Sequence, residues 1–436
     1  MATNREAPSH MRWIVLGVLY LMYLLTYVDR VNISTAAPLI SREFGFNKVT
    51  MGLIFSAFAW AYALFQVPGG WLGDRLGPRG VLGTIVLYWS LMTAATARAT
   101  GLVSFWILRF LFGVGEAGAF PTATRAMQMW YPREERGLVQ GLTHSANFLG
   151  AAIVPPVAVA IMVRFGWRMV FYACALLGPL WCLLWFLVYR NLPEDHPWVT
   201  WGELVRIRGL DAGGHPKPPQ RPTRPTVPWR VLLRHPNMWA INCAYFALVY
   251  NTWVFFWWLP SYLVEYRHFT LLKMGFFAAL PLLMGVGGGT AGGWLSDRLL
   301  VKTGKPTLAR RGVAITGMLG AAAFYVPAAL TANPYTAVVC LAGALVFLGG
   351  VLGPAWAVPM DVGGEYSGTV SGVMNTAGNI GAAVSPVAFG ILVQYGSWVA
   401  PFLVAAALLV VGAGIWAFWL DPEVSVIQPG RARATA

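Results

Sequence analysis

The chain contains two near-identical heptapeptides, GGWLGDR at 69–75 and GGWLSDR at 292–298, which lie 223 residues apart. A second pair of segments shows the same relationship, since residues 136–156 align without gaps on residues 367–387 at an offset of 231. Similar segments at similar offsets in both halves indicate a duplicated chain. Parallel repeats related by an axis along the membrane normal are one architecture of membrane carriers.

The composition agrees with a membrane protein. Only 11% of the residues are charged, whereas a soluble globular protein carries about a quarter. Apolar windows of bilayer length predict twelve spanning helices, six on each side of a polar segment rich in Pro and Arg. We therefore expect an all-α polytopic protein with an N-terminal six-helix bundle (1–189), a cytoplasmic linker (190–236) and a C-terminal six-helix bundle with a tail (237–436). The linker is predicted to be largely unstructured.

The net charge of +14 indicates how the chain is oriented in the membrane and does not point to a charged binding partner. Most Lys and Arg residues fall on the side of the N-terminus, which is the positive-inside pattern. This predicts cytoplasmic termini and a location in the bacterial inner membrane. Nucleic-acid binding is not expected, because no basic patch is interleaved with exposed aromatic residues. The four cysteines lie scattered in apolar spans, so neither a disulfide nor a metal site is predicted.

The first span carries a polar stripe. Ionisable groups inside a spanning helix are costly and mark function by default. Residues spaced by three and four fall on one helical face, and here that face consists of Tyr20, Tyr23, Tyr27, Arg30 and Ser34. Such a stripe is typical of the wall of a wet cavity, in which Arg30 can grip a carboxylate with two hydrogen bonds. The alternative is a structural pair of Arg30 with the adjacent Asp29 that only locks helices together.

The fourth span supplies Arg109 and Glu116, which share one face. Counting from the predicted helix ends places Arg109 at the depth of Asp29, so we predict a contact between these two in at least one state. Glu116 comes out about 10 Å deeper, with no basic neighbour, and is expected to carry a proton at neutral pH. The alternative is a permanently protonated Glu116 bonded to a backbone carbonyl.

The repeat alignment also pairs polar side chains of the fifth and eleventh spans. His144 aligns with Asn375, and Asn147 lies one position from the equivalent of Asn379. These side chains could face each other across the central axis, although a lone buried histidine is more often a packing residue. In the seventh span, Tyr250 and Trp253 could close one side of the cavity or belong to an aromatic belt.

The repeated heptapeptides end in Asp-Arg at the predicted cytoplasmic ends of the second and eighth spans. We expect the four side chains to rearrange between inward- and outward-open forms, which is gating rather than substrate chemistry. They are Asp74, Arg75, Asp297 and Arg298.

The chain resembles the major facilitator superfamily along its whole length, and GGWLGDRLGPR (69–79) matches the loop motif of that superfamily. More narrowly, it resembles the anion:cation symporter branch, which includes bacterial galactonate, glucarate, hexuronate, tartrate and phthalate permeases and is related to sialin and the vesicular glutamate carriers. This rests on TYVDRVNIS (26–34), RFLFGVGEAGAFPT (109–122), WYPREERG (130–137) and SGVMNTAGNIGAAVSP (371–386).

The resemblance implies the major facilitator fold and proton-coupled uptake of an organic carboxylate by alternating access. It also implies residue roles: Asp29 and Glu116 as proton carriers, Arg30 as substrate anchor, Tyr27 and Tyr62 as hydrogen-bonding partners, and Asn375 or Asn379 as contacts from the second half. No cofactor is implied besides the coupling protons, and a monomer would be functional.

Three alternatives remain open. A sugar acid is the favoured substrate, because Tyr, Asn and His can serve many hydroxyls, whereas the aromatic residues of the seventh span would suit aromatic or small dicarboxylic acids. The same fold could also serve an exporter or an exchanger without net proton flux. A membrane enzyme or receptor is not favoured, since no nucleophile–base pair, metal-ligand cluster or phosphate loop stands out.

Overall fold

A computed structural model describes residues 9–132, 135–210, 229–363 and 367–426. The described first half consists of seven helices: α1 (Met11–Phe44), α2 (Lys48–Leu76), α3 (Pro78–Thr96), α4 (Leu102–Glu116), α5 (Ala119–Trp130), α6 (Arg136–Phe165) and α7 (Trp167–Val188). Two short helices follow: α8 (Trp201–Arg208) and α9 (Trp229–Arg234). The second half consists of α10 (Pro236–Ser261), α11 (Leu271–Thr303), α12 (Gly312–Leu330), α13 (Pro334–Gly363), α14 (Ser367–Tyr395) and α15 (Ala400–Phe418).

Local sequence signals account for several helix boundaries. Asn47 caps α2, because its side-chain oxygen accepts a hydrogen bond from the backbone N–H of Thr50 at 2.8 Å. Gly45 ends α1 with a φ of 67°, and Gly304 ends α11 with a φ of 65°. Glycine suits both positions, because only a residue without a side chain adopts this left-handed conformation without strain.

The predicted fold class is confirmed. Ten helical segments of the described chain are long and apolar enough to cross a bilayer, and α3 and α10 are the remaining long helices. Even the 19 residues of α3 span about 28 Å, close to the hydrocarbon thickness. With α4 and α5 counted as one crossing, the described helices alternate in direction and form two sets of six.

The fourth crossing is broken rather than continuous as predicted, because α4 ends at Glu116 and α5 begins at Ala119. Pro121 explains the break: it has no N–H to offer the carbonyl of Ala117, and its ring crowds that carbonyl. Gly118 also lies against Gly69 of α2, close enough that a Cβ on Gly69 would stand 2.5 Å from the Gly118 Cα. The break leaves Glu116 at a helix end inside the bundle.

The prediction of a largely unstructured linker is wrong for residues 190–210 and 229–235. The structure places a 3-10 turn at Pro193–Asp195, the helix α8 and the helix α9 there, whereas residues 211–228 lie outside the described residues. Glu203 of α8 is fully buried and accepts hydrogen bonds from the backbone N–H groups of Met11 and Arg12, both at 3.1 Å. A carboxylate is favourable at a helix N-terminus, so tertiary contacts order a segment whose composition suggested disorder.

The two bundles meet along three helix pairs: α2 with α14, α6 with α11 and α1 with α10. We call the end that carries residues 45–47 the far end, and the end that carries residues 190–235 the linker end. At the far end Lys48 forms an ion pair with Glu265 across the bundles. A Cβ on Gly52 would lie 2.5 Å from the Pro386 carbonyl oxygen, and Ser56 donates to the Ala383 carbonyl at 2.7 Å. The far ends of the bundles are therefore in direct backbone contact.

The ion pairs at the linker end have a different pattern. Arg310 bonds to Asp297 at 2.7 Å and to Asp361 at 3.2 Å, all within the second bundle. Arg12 pairs with Glu135 at 3.1 Å within the first bundle. Each of these pairs therefore stays within one bundle, whereas the far-end pair of Lys48 joins the two.

Candidate functional site

A buried ion pair lies at the centre of the first bundle. The Nε of Arg30 donates to both carboxylate oxygens of Glu116, at 3.0 and 3.1 Å. The side chains are only 3% and 0% exposed. Two charges are removed from water here at a cost of several kcal/mol, which the mutual attraction offsets only in good geometry. A pair of this kind points to function rather than to stability.

The prediction that Glu116 lacks a basic neighbour is therefore wrong in this structure. It counted depth from the predicted end of the first span, whereas α1 continues to Phe44. Arg30 and Glu116 both lie about 21 Å along their helices from the observed far ends, at 1.5 Å per residue. The arginine and the carboxylate are consequently level with each other.

Aromatic rings surround the Arg30 guanidinium. Its carbon lies between 4.7 and 5.7 Å from five ring centroids, which belong to Tyr62, Tyr27, Phe58, Phe120 and Trp253. We call these five side chains the aromatic collar. Ring faces attract cations and leave the guanidinium donors available, and the Nη2 of Arg30 has no hydrogen-bond partner. The structure thus brings together Arg30, Tyr27 and Tyr62, whose roles in substrate binding stay a prediction from the resemblance, with Trp253 contributed by the second bundle.

The predicted contact between Asp29 and Arg109 is not formed as an ion pair in this structure. Arg109 lies seven residues into α4, about 11 Å nearer the far end than Glu116. Its guanidinium carbon instead lies 4.5 Å from the Phe112 ring centroid. Since the prediction required the contact in at least one state, it stays a prediction for other states.

The carboxylate of Asp29 faces a donor-rich pocket inside the first bundle. Arg109 interacts with it electrostatically, and the side chains of Trp89 and Thr93 lie beside it. Seven buried polar atoms of this region have no hydrogen-bond partner: Asp29 Oδ1, Asn32 Nδ2, Asn32 Oδ1, Trp89 Nε1, Thr93 Oγ1, Arg109 Nε and Arg109 Nη2. Buried groups of this kind are normally satisfied by protein or by water. Asp29 is therefore surrounded by polar groups that can interact with its carboxylate.

The two predicted asparagines of the second bundle meet a residue that the sequence reasoning missed. Asn375 and Asn379 each donate an amide N–H to the side-chain oxygen of Gln66, at 3.3 and 3.2 Å. Gln66 lies four residues after Tyr62 and thus on the same face of α2. That spacing was the signal by which Gln66 could have been found.

His144 lies on the wall that leads from the centre toward the linker end. Its Nδ1 is 3.3 Å from the Asn147 amide nitrogen. Its ring lies 5.6 Å from that of Tyr23 and 6.4 Å from that of Trp356, which belongs to the second bundle. Trp356 in turn donates to the Tyr245 hydroxyl at 3.0 Å. His144 is therefore placed between the bundles, among aromatic side chains that the sequence reasoning did not single out.

Among the described residues, the ring of Tyr250 makes no ring contact with the aromatic collar. Its ring lies 6.3 Å from that of Phe246, inside the second bundle. Its predicted role in substrate binding stays a prediction.

The repeated Asp-Arg motifs lie at the linker end. Arg75 stacks over Trp71 with 5.2 Å between guanidinium carbon and ring centroid, and Arg298 stacks over Trp294 at 4.9 Å. Asp297 pairs with Arg310 rather than with its neighbour Arg298. The side chain of Asp74 lies outside the described residues. The gating role of all four residues stays a prediction.

The charges of the central region balance, because two arginines, Arg30 and Arg109, lie near two acids, Asp29 and Glu116. Protonating either acid would leave one arginine with an excess positive charge in a low-dielectric environment, where an anion is strongly favoured. The arrangement can therefore accommodate an anion at Arg30 when Asp29 or Glu116 is protonated.

Comparison with known proteins agrees with this fold. The family model of the Major Facilitator Superfamily matches residues 19–386 and 310–436. The probable sulfoacetate transporter SauU of Cupriavidus necator is 42% identical over 96% of this chain and 96% of its own length. The D-galactonate transporter of Escherichia coli O6:H1 is 33% identical over 94% and 96%.

A solved structure shares the fold. It is that of a bacterial homolog to the human lysosomal transporter Spinster, in an inward-facing and unoccupied conformation. It superposes with a TM-score of 0.76 at 18% identity, covering 94% of this chain and 97% of the other. The repeated sequence, the two bundles of six helices and the family match agree, and this integral membrane protein belongs to the Major Facilitator Superfamily.

Proposed function

We propose that the protein transports a small organic anion together with protons, and that the anion binds at Arg30. The observation that carries the proposal is the buried ion pair of Arg30 and Glu116. The Trp253 ring of the other bundle lies beside Arg30. An arginine held by an acid at the bundle interface can release that acid for a substrate carboxylate or sulfonate. Both groups match the planar, doubly donating guanidinium.

The ion pair supplies a mechanism of coupling. While Glu116 is ionised it competes with the anion for Arg30. A proton on Glu116 removes that competition, so proton binding and anion binding favour each other. This reciprocity is the coupling free energy between two ligands. Asp29, in its separate polar pocket, provides a second proton site.

Two protons would allow accumulation against the membrane potential. Moving one elementary charge through 100 mV is worth about 2.3 kcal/mol. A monoanion such as galactonate carried with two protons moves one net positive charge inward. A dianion such as sulfoacetate carried with two protons is electroneutral. The number of charges moved per anion therefore distinguishes the two classes of substrate.

Alternating access is the transport mechanism that we propose, and the contacts between the bundles support it. With cytoplasmic termini, as the distribution of Lys and Arg predicts, the far end faces outward and is closed by Lys48 and Glu265. The structure then corresponds to an inward-facing arrangement in a bacterial inner membrane. Rocking of the bundles around the central site would open the far end.

The relatives define the substrate panel. The relative that is 42% identical to this chain is named for sulfoacetate, whereas those named for galactonate and for galactarate and glucarate are 33% identical. We propose a small acid with a carboxylate or sulfonate group, with sulfoacetate and sugar acids as the first two classes to test. A sugar acid, favoured by the hydroxyl partners in the sequence, is thus one of two candidates.

The test uses purified protein in liposomes at pH 6.5. Sulfoacetate, galactonate, glucarate, a dicarboxylate and an aromatic acid are added in turn while the external pH is recorded. Alkalinisation outside with one class establishes symport and identifies the substrate. Anion uptake without a pH change, or uptake only in exchange for internal anion, contradicts proton coupling and favours an exchanger.

A matched pair of variants assigns the site. Arg30→Lys keeps the charge and loses the planar fork, and we expect uptake to fall at least 100-fold. Arg168→Lys makes the same change at an exposed arginine that pairs with Glu43 at the far end, and should keep uptake within about twofold. Equal activity of the two variants would remove Arg30 from the site.

A further inference from the structure

Gln66 links the two bundles at mid-depth. Its Oε1 accepts hydrogen bonds from Asn375 and Asn379, which lie one turn apart on α14 and therefore project from one face. A carbonyl oxygen has two lone pairs, so this single atom is fully used by the two amides. We call the three side chains the amide clasp.

In the amide clasp, the Gln66 side-chain oxygen accepts from two donors that face the first bundle, the amides of Asn375 and Asn379. Asn379 is 8% exposed, and its bond to Gln66 is one of the described side-chain contacts between the bundles. Donors one helical turn apart, about 5–6 Å between their Cβ atoms, suit two oxygens of one small molecule. Gln66 supplies one neutral oxygen to both, which is weaker than a charged acceptor would be.

The repeat shows that the amide clasp belongs to one interface only. At the offset of 223 residues the equivalent of Gln66 is Gly289, which offers no side chain. At the offset of 231 the equivalent of Asn375 is His144, which bonds within its own helix to Asn147. The pairing of α2 with α14 therefore contains an acceptor that the pairing of α6 with α11 lacks, and close packing of duplicated helices does not account for Gln66.

We propose that Gln66 competes with the substrate for Asn375 and Asn379. This proposal rests on the proposed function, because it assumes that an anion is anchored on Arg30. The second oxygen-bearing group of that anion displaces the Gln66 oxygen and takes over both amides. Gln66 thus selects anions with an acceptor at each end, such as sulfoacetate or a sugar acid, over simple monocarboxylates that cannot open the clasp.

The test measures dissociation constants by titration calorimetry at pH 6.5, with sulfoacetate and D-galactonate as probes. Gln66→Met keeps the length and removes the acceptor, so affinity should rise about three- to tenfold, as expected for one or two hydrogen bonds. Gln66→Glu strengthens the acceptor and repels the anion, so affinity should fall at least tenfold. Gln140→Met makes the matched change at a glutamine bonded to Thr124 within the first bundle, and should stay within twofold.

The outcomes separate the two proposals. Weaker binding by Gln66→Met makes Gln66 a direct ligand and overturns the competition, as do dissociation constants within twofold for both Gln66 variants. Arg30→Lys reports on the anchor: if this variant binds both probes as the wild type does, the proposed function fails. If it loses binding while the Gln66 variants are unaffected, only the amide clasp is overturned.

A measurement without ligand completes the test. Spin labels at Leu76→Cys and Val301→Cys, which are 65% and 86% exposed at the linker ends of α2 and α11, report the separation of the bundles by pulsed electron paramagnetic resonance. Cys243 and Cys340 are replaced by serine. Gln66→Met should lengthen or broaden the distance distribution and Gln140→Met should not. Identical distributions in all three proteins would show that the clasp does not hold the bundles, and would overturn the proposal.

Discussion

Arg30 and Trp253 occupy equivalent positions in the two halves, because each precedes the arginine of its Asp-Arg motif by 45 residues. The offset of 223 residues that relates Arg30 to Trp253 also relates Tyr27 to Tyr250. Yet the first half places an ion pair and a second acid around this position, whereas the second half places rings and neutral amides there. The two halves thus share the helix arrangement at this position, but only the first half places an ion pair there.

The difference has a mechanical meaning. The Glu116 carboxylate and the anion compete for Arg30 within the first bundle, so this competition needs no movement between the bundles. The second bundle contributes contacts that form or break as the bundles move. We infer that the first half determines coupling and anchors the anion, and that the second half adjusts affinity and selectivity.

The strongest break of this comparison is Glu116→Gln in the first half. Glutamine imitates the protonated acid and cannot release a proton, so uphill accumulation should fall at least 100-fold. Counterflow exchange of labelled anion should persist and lose much of its pH dependence. Proton-driven accumulation at the wild-type level in this variant would falsify the assignment of coupling to the first half.

A second prediction concerns Trp253 in the second half. Trp253→Ala removes a ring 5.7 Å from the Arg30 guanidinium carbon, and cation–π contacts that are shielded from water contribute up to about 2 kcal/mol. The KM for the transported anion should rise about tenfold while the number of protons per anion stays constant. Trp60→Ala, at a 42% exposed tryptophan of α2, is the control. A changed proton ratio in Trp253→Ala would assign coupling to both halves.

The third prediction concerns the contact that joins the halves. Glu265→Gln removes the charge that holds Lys48 at the far end and should shift the equilibrium toward opening there, by about threefold. Labelling of a cysteine placed at Ser56 by a membrane-impermeant thiol reagent measures this shift in inside-out and right-side-out vesicles. Glu43→Gln, at the exposed pair with Arg168 within the first bundle, should have no effect. A labelling rate that Glu265→Gln leaves unchanged means that the ion pair does not hold the far end closed.

The smallest expected effect belongs to the pocket around Asp29. Trp89→Phe removes the indole N–H and keeps most of the ring, and Thr93→Val removes the hydroxyl at nearly constant volume. On the sloping part of the pH profile, each variant should change the rate of uptake by about twofold. The KM of the anion at saturating proton concentration should stay unchanged. An altered KM with an unchanged pH profile would make both residues packing residues.

The sequence predicted the fold well, since spanning helices require long apolar segments and the repeat fixed their grouping. It predicted that Arg30 and Tyr27 lie on one face of α1, because a helical face can be read from spacing alone. It missed the pairing of Arg30 with Glu116, since the depth of Arg30 depends on the end of α1 at Phe44, which does not follow from hydropathy. The order of α8 was missed because its helix depends on the tertiary contacts of Glu203.

Gln66 and the asparagines show a different limit. Each amide was visible as a polar residue in an apolar span, but an amide can donate or accept, and only the three-dimensional pairing of α2 with α14 shows which it does. The aromatic collar was hidden for the same reason. Phe58 and Phe120 are indistinguishable in sequence from residues that face lipid.

The contact of Gly52 with the Pro386 carbonyl has a consequence for the environment in which the protein works. Neither partner carries a titratable, oxidisable or ionic group, so pH, redox state and salt leave the alignment of the bundles at the far end unchanged. The neighbouring ion pair of Lys48 with Glu265 weakens as ionic strength rises, because the Debye length shortens from about 10 Å at 0.1 M to about 3 Å at 1 M. A change of medium can therefore loosen the closure of the far end while the register of its helices is retained.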